Sequence, residues 1–224
     1  MDKKQLALDT IIAQGILPLY FNPDETVSVE ILRAIYKAGV KAVEYTNRGD
    51  AALANFKKLV EVRNAEMQGM LIGVGTVKNV QDAKNYVTAG ADFIVSPGLE
   101  LEVAKYADSV GLLYGPGCMT PSEVMAAENA GLKFIKLFPG DMLTPKFLSS
   151  IKEIFPKLSF MPTGGVDTTK ENIEGWFKAG VVAVGMGSKL ISKPLMQAKD
   201  YATIEKATQE VLATIQSVKA SLTK

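Results

Sequence analysis

The 224-residue sequence predicts a single-domain α/β fold, a closed (β/α)8 or TIM barrel, on three observations. Short apolar runs, often β-branched, recur eight times, as expected for strands buried on both faces. Amphipathic stretches of helical length separate them. A small residue and then Gly close four of those stretches, at Lys37-Ala38-Gly39, Thr88-Ala89-Gly90, Asn129-Ala130-Gly131 and Lys178-Ala179-Gly180. Gly ends a helix at low steric cost, because the position after the last turn needs a positive φ. Strict alternation of strand and helix favours a parallel barrel. The competing architecture, a doubly wound open sheet, needs fewer strands and carries a clear nucleotide loop. No linker, low-complexity tract or charge block divides the chain, so residues 1–224 read as one barrel domain.

Taken in order, a helix at 3–13 precedes a first strand at 15–21. The other strands fall at 42–46, 71–75, 93–96, 112–116, 134–138, 159–163 and 182–186. Helices are expected at 24–38, 50–68, 79–89, 99–109, 121–130, 144–155, 170–179 and 199–221.

Composition narrows the chemistry. Hydrophobic residues make up 47% and charged residues 22%, which suits one globular core. Lys and Arg total 25 against 24 Asp and Glu, a formal charge of +1, so no long-range field of one sign draws the chain to nucleic acid or an anionic membrane. The opening Met1-Asp-Lys-Lys-Gln-Leu-Ala-Leu has no apolar leader core, and no apolar run reaches membrane-spanning length. A single cysteine, Cys118, excludes an internal disulfide and suits a reducing compartment; a cytoplasmic location is expected. There is no histidine, so imidazole-based zinc sites and Ser-His-Asp or Cys-His catalysis are excluded. No acidic cluster has metal-ligand spacing, and no metal or cofactor is expected.

In such barrels the chemistry collects at the C-terminal ends of the strands. In Phe134-Ile135-Lys136-Leu137-Phe138 the period of two puts the aliphatic pair Ile135 and Leu137 on one face, toward outer helices, and points Lys136 into the barrel. A buried ammonium costs several kcal/mol unless paired or neutralised. The residue is therefore half of a structural ion pair or an amine that attacks a ketone, since burial favours the neutral form of an amine. In Ala42-Val43-Glu44-Tyr45-Thr46 the same alternation points Glu44 inward, as the other half of that pair, as a proton carrier, or as both. Arg48, in the following loop, suits bidentate binding of a carboxylate, although by itself it could be an ordinary surface arginine.

At the next strand end, Gly73-Val74-Gly75 removes side chains from one face, either to leave room for a ligand or to allow tight packing, with Thr76 a hydroxyl at the rim. Ser96-Pro97-Gly98 and Gly115-Pro116-Gly117-Cys118 could be no more than turns, and Cys118 reads as a buried small hydrophobe. Thr163-Gly164-Gly165 and Gly185-Met186-Gly187-Ser188 follow the last two strands, where Gly-rich turns commonly present backbone N–H groups to a phosphate. Lys189 comes next and either adds charge there or is simply exposed.

The ordered set Glu44-x-Thr46-x-Arg48, Gly73-Val74-Gly75-Thr76-Val77, Val95-Ser96-Pro97-Gly98, Pro116-Gly117, Thr120-Pro121-Ser122-Glu123, Lys136-Leu137-Phe138-Pro139 and Pro162-Thr163-Gly164-Gly165-Val166 resembles the 2-keto-3-deoxy-6-phosphogluconate (KDPG) / 4-hydroxy-2-oxoglutarate (KHG) aldolases. The resemblance runs from about Gly15 to Leu190. It implies a class I aldolase in which Lys136 forms the Schiff base and Glu44 is the general acid/base. Arg48 and Thr76 would hold the pyruvate carboxylate, with Pro97 and Phe138 lining that pocket. Gly164, Gly165 and Ser188 would bind a distal phosphate, Thr163 and Gly187 are further substrate-binding positions, and the partner molecule would be a phosphorylated 2-keto acid. The family forms homotrimers.

Two departures fall on the aldehyde side: Asn47, followed by Gly49-Asp50, where the family has a hydrophobic residue between Thr and Arg, and Gly185-Met186-Gly187-Ser188-Lys189 in place of its Gly-Gly-Ser-Trp turn. KHG or phosphogalactonate aldolase activity is therefore an alternative. Two further rivals are a non-covalent phosphate-binding barrel isomerase or decarboxylase and a non-catalytic sugar-acid-phosphate sensor.

Overall fold

A computed structural model of the protein describes residues 2–222. After helix α1 (Lys3–Gln14), strand and helix alternate as β1 (Ile16–Tyr20), α2 (Glu25–Lys37), β2 (Ala42–Thr46), α3 (Ala52–Glu66), β3 (Leu71–Gly75), α4 (Val80–Thr88), β4 (Phe93–Val95) and α5 (Leu101–Ser109). They continue as β5 (Leu113–Gly115), β6 (Gly117–Cys118), α6 (Pro121–Asn129), β7 (Phe134–Leu137), α7 (Gly140–Ile151), β8 (Ser159–Pro162), α8 (Lys170–Lys178), β9 (Val184–Met186), α9 (Lys193–Ala198) and α10 (Tyr201–Leu222). No helix among the described residues is long and apolar enough to cross a membrane.

Every strand pairing is parallel, which confirms the α/β class. The expected single eight-stranded sheet is replaced by two, a six-stranded sheet ordered β5-β4-β3-β2-β1-β9 and a three-stranded sheet ordered β6-β7-β8. Pro116 accounts for one seam. It has no N–H to donate, so the run expected at 112–116 splits around it into β5 and β6. The Pro116 carbonyl still accepts from Lys136 N at 2.9 Å. At the other seam, β8 and β9 meet through an isolated parallel bridge, Thr163 with Gly185, and through a Val182 N–H donated to Phe160 O at 3.0 Å.

The inner faces of both sheets share one apolar cluster, Leu17, Ala42, Phe93, Val95, Leu113, Phe134, Met161 and Ala183, into which α1 inserts Ala7 and Ile11. The opposite faces, carrying Val43, Tyr45, Ile135 and Leu137, pack in a larger cluster with the surrounding helices. At the end of α1, the buried Gln14 side chain accepts from Lys41 N (2.8 Å) and Ala42 N (3.1 Å) and donates to Ala42 O (2.8 Å). That pairing ties the closing helix to the start of β2.

Local signals explain most boundaries. Thr120 and Glu123 form a reciprocal capping box with Pro121 in the first turn of α6. The helix expected at 144–155 starts at Gly140 and contains a break at Thr144 (φ 59°, ψ 162°), because Pro145 disfavours the helical conformation in the residue before it. The six-residue α9 was not expected at all; its Ser192 cap and Pro194 are ordinary helix-start signals in a segment too short to show periodicity.

Candidate active site

Lys136 on β7 and Glu44 on β2 belong to different sheets and meet in the interior between them. Nζ lies 3.6 Å from Glu44 Oε1, with the lysine side chain 6% exposed and the glutamate fully buried. The lysine Nζ also sits 5.2 Å from the centroid of the Phe138 ring, two residues along the same strand face. Neither carboxylate oxygen of Glu44 has a hydrogen-bond partner among the described residues. An ion pair that serves stability needs short, well-aligned contacts, about 2.7–2.9 Å, and partners for its remaining lone pairs. This pair has neither.

Gly73 and Gly75 explain how Glu44 fits. A Cβ on Gly75 would fall on the Glu44 carboxylate, and one on Gly73 would fall on the Phe93 ring. The alternating glycines therefore admit neighbouring protein side chains; the idea that they leave open space for a ligand is corrected. Thr76 follows at once with φ 62°, a left-handed conformation that is strained for a β-branched residue.

Beside the pair, the C-terminal strand ends surround a cavity of about 270 Å³. Of the residues singled out from sequence, Arg48, Phe138, Thr163, Gly164, Gly165, Gly187 and Ser188 line it. Thr76 and Pro97, after β3 and β4, do not, and neither do Lys136 and Glu44, which adjoin it through the Phe138 ring. Pro97 instead places its carbonyl where a Cβ on Gly117 would have to go. The Gly164-Gly165 turn has positive φ at both residues (94° and 68°) and packs on Asp141 at the start of α7. Gly185 is required there too, since a Cβ would collide with Thr163 Oγ1.

Arg48 is aimed by its neighbour. Asn47 N donates to Gly75 O at 2.8 Å, and the Asn47 side-chain oxygen accepts from Tyr86 OH at 2.9 Å. Asn47 thus points outward to α4, and Arg48 turns into the cavity. The departure at Asn47 serves a hydrogen bond on the far side of the strand.

The sequence reading missed Phe21, Ile191, Lys193 and Met196 in the same lining. Lys193 carried a usable signal, since Ser192-Lys193-Pro194 marks a helix start just beyond the last strand. Phe21 and Met196 reach the cavity only through tertiary folding. Burial pushes the Cys118 thiol up to about 12, which removes it as a nucleophile and agrees with its reading as a small hydrophobe.

A larger cavity of about 550 Å³ lies at the opposite, N-terminal ends of β5 and β7. Its walls mix Asp2 and Asp108 with Lys4, Lys105 and Lys133 and include none of the groups above. Size alone does not identify the chemistry here. Among the described residues no group of three or more His, Cys, Asp or Glu could hold a metal ion.

A parallel α/β fold with an inward lysine and carboxylate that meet between its two sheets, next to a cationic, glycine-walled cavity, has the layout of a lyase that acts on a carbonyl compound. Comparison with known proteins gives that class a family. The family model described as KDPG and KHG aldolase matches residues 9–207, and the chain belongs to that family and is a carbon–carbon lyase. It is 31% identical over 211 residues to the 2-dehydro-3-deoxy-phosphogluconate aldolase of Dickeya dadantii, covering 94% of this chain and 96% of the relative. It is 30% identical over 169 residues to the 2-dehydro-3-deoxy-6-phosphogalactonate aldolase of Escherichia coli, covering 75% and 79%. Among solved structures, the KDPG aldolase of Legionella pneumophila, with pyruvate captured as a covalent carbinolamine intermediate, superposes with a TM-score of 0.83 at 25% identity, over 90% of this chain and 96% of that one.

Proposed function

We propose that this chain is a metal-independent class I aldolase on a single, closed (β/α)8 barrel. Its substrate is a phosphorylated 2-keto-3-deoxy sugar acid, first of all KDPG, cleaved to pyruvate and glyceraldehyde 3-phosphate. The observation that carries this reading is the Lys136–Glu44 pair, buried yet 3.6 Å apart and without further hydrogen bonds on the carboxylate among the described residues. A fold tolerates such a poorly satisfied pair, at a cost of several kcal/mol, where the two groups have chemistry to do. The bridge between Thr163 and Gly185 and the Pro116–Lys136 hydrogen bond support closure of the two sheets into one barrel.

In this scheme Lys136 Nζ adds to C2 of the keto acid, and Glu44 hands a proton to the departing hydroxyl as the carbinolamine becomes an iminium. Glu44, directly or through water, then takes the proton of the C4 hydroxyl. The C3–C4 bond breaks and its electron pair moves into the iminium, releasing the aldehyde and leaving an enamine. Protonation at C3 and hydrolysis free pyruvate and regenerate the amine. Arg48 and Thr76 hold the pyruvate carboxylate, Pro97 and Phe138 bound that half, and Thr163, Gly164, Gly165, Gly187 and Ser188 receive the phosphate. The carbinolamine in the Legionella pneumophila relative supports the covalent route. The C4 epimer is the second candidate substrate, favoured by the 30% identity to the Escherichia coli phosphogalactonate aldolase.

The test is borohydride reduction in the presence of pyruvate, with the adduct mapped by mass spectrometry. A stable adduct on Lys136 is expected, and Lys136→Met should abolish both the adduct and aldehyde release. Cleavage at the wild-type rate in that variant would overturn the scheme.

A further inference from the structure

The cavity beside the Lys136–Glu44 pair is lined by three cations, Arg48, Lys189 and Lys193, and by no carboxylate. That concentration is notable in a chain whose formal charge is only +1. Arg48 lies after β2, whereas both lysines belong to the segment that follows β9, on the side of the glycine turns. Lys189 lies within 3.5 Å of Asp167 Oδ2, so part of its charge is already balanced. Lys193 has no ion-pair partner among the described residues.

Its position is held rather than accidental. Ser192 caps Leu195 N, Pro194 stiffens the first turn of α9, and Ile191, 2% exposed, anchors the segment just before it. Met196, which also lines the cavity, packs its sulfur 3.8 Å from Asn22 Nδ2 in the loop after β1. Two lysines thus stand on one short, braced segment.

We infer that Lys193, assisted by Lys189, is a specificity-determining residue that makes this cavity select substrates with a dianionic distal end, a phosphate monoester, over their uncharged counterparts. The inference rests on the aldolase reading above and adds to it a side-chain contribution that the glycine turns do not supply. Backbone N–H groups favour any anion or hydroxyl that fits; an ammonium without a counter-ion discriminates by charge. Because Lys193 is exposed, its contribution is modest and falls as salt is added.

The experiment compares cleavage of KDPG with cleavage of unphosphorylated 2-keto-3-deoxygluconate by the full chain and by Lys193→Gln, Lys193→Glu and Lys189→Gln. The expected result is that Lys193→Gln lowers the ratio of kcat/KM for the two acids about two- to fivefold, through KM for the phosphorylated one, with a larger fall in Lys193→Glu. Titration with glycerol 3-phosphate reads the same contact without turnover and should weaken by a similar factor. An unchanged ratio and an unchanged glycerol 3-phosphate affinity in folded Lys193→Gln would overturn the inference. Pyruvate trapping on Lys136 separates the two ideas. Trapping without any preference for the phosphorylated acid defeats only the role of Lys193, whereas no trapping in the wild type defeats the aldolase reading itself.

Discussion

At the scale of single residues, the site depends on what its glycines and its one strained threonine allow. Gly75 is the residue against which the Glu44 carboxylate rests, and a methyl group there would occupy the carboxylate's place. Gly75→Ala should displace Glu44 from Lys136, lower kcat at least tenfold and cost about 1–3 kcal/mol of stability through overpacking. Steady-state kinetics and thermal melting would show both effects, and full activity would mean that Glu44 has room to move. Thr76, at φ 62°, presents the opposite case. Its conformation costs roughly 1–3 kcal/mol, a cost that has a reason if its hydroxyl holds substrate. Thr76→Gly should raise the melting temperature while raising KM for the keto acid; a rise in stability with unchanged KM would leave the hydroxyl without a role.

Among the secondary-structure elements, the walls of the cavity are set by contacts outside the space between the two sheets. Tyr45, on the outer face of β2, donates to Asn22 O at 2.9 Å, lies 3.1 Å from Ser28 Oγ, and meets the tilted ring of Phe21, which lines the cavity, at 5.8 Å between centroids. Asn55 of α3 adds bonds to Asn22 O and Pro23 O, both 3.1 Å. Three elements therefore converge on the loop after β1. Removing the hydroxyl in Tyr45→Phe takes one of three donors from the half-buried Asn22 carbonyl, the others being Ser28 Oγ and Asn55 Nδ2, and should cost about 1 kcal/mol. Urea denaturation would measure it, and a change below a few tenths of a kcal/mol would show that Asn55 and Ser28 hold the loop alone.

For the molecule as a whole, the burial of so many weakly acidic groups predicts alkaline sensitivity. Burial raises the Cys118 thiol from about 9 to about 12, and it also raises Tyr20, Tyr45 and Tyr114 above their ordinary value near 10. A raised pKa in the folded state means that folding favours the protonated form. The associated stability is complete below the unfolded values and is lost as pH climbs from about 9 toward the folded ones. The urea midpoint should be level from neutrality to about pH 9 and fall steadily beyond it. Cys118→Ala should remove the earliest part of that fall. A midpoint that holds to pH 11 would contradict the burial of these groups.

Periodicity and turn chemistry by themselves determined the alternation of strand and helix apart from α9 and the split at Pro116, the inward direction of Lys136 and Glu44, and the glycine turns after β8 and β9, because those properties repeat along the chain. The strand pattern 134–138, for example, places Ile135 and Leu137 outward with no knowledge of what they meet. Local reading did not determine that Gly75 serves Glu44 and not a ligand, that Asn47 turns to Tyr86 so that Arg48 faces inward, or that Lys193 joins Gly164 in one wall. It also expected a continuous sheet where Pro116 divides it. Each of these depends on residues far apart in sequence meeting at a few ångströms, and the identity of a neighbour across the fold leaves no period in the chain that could announce it.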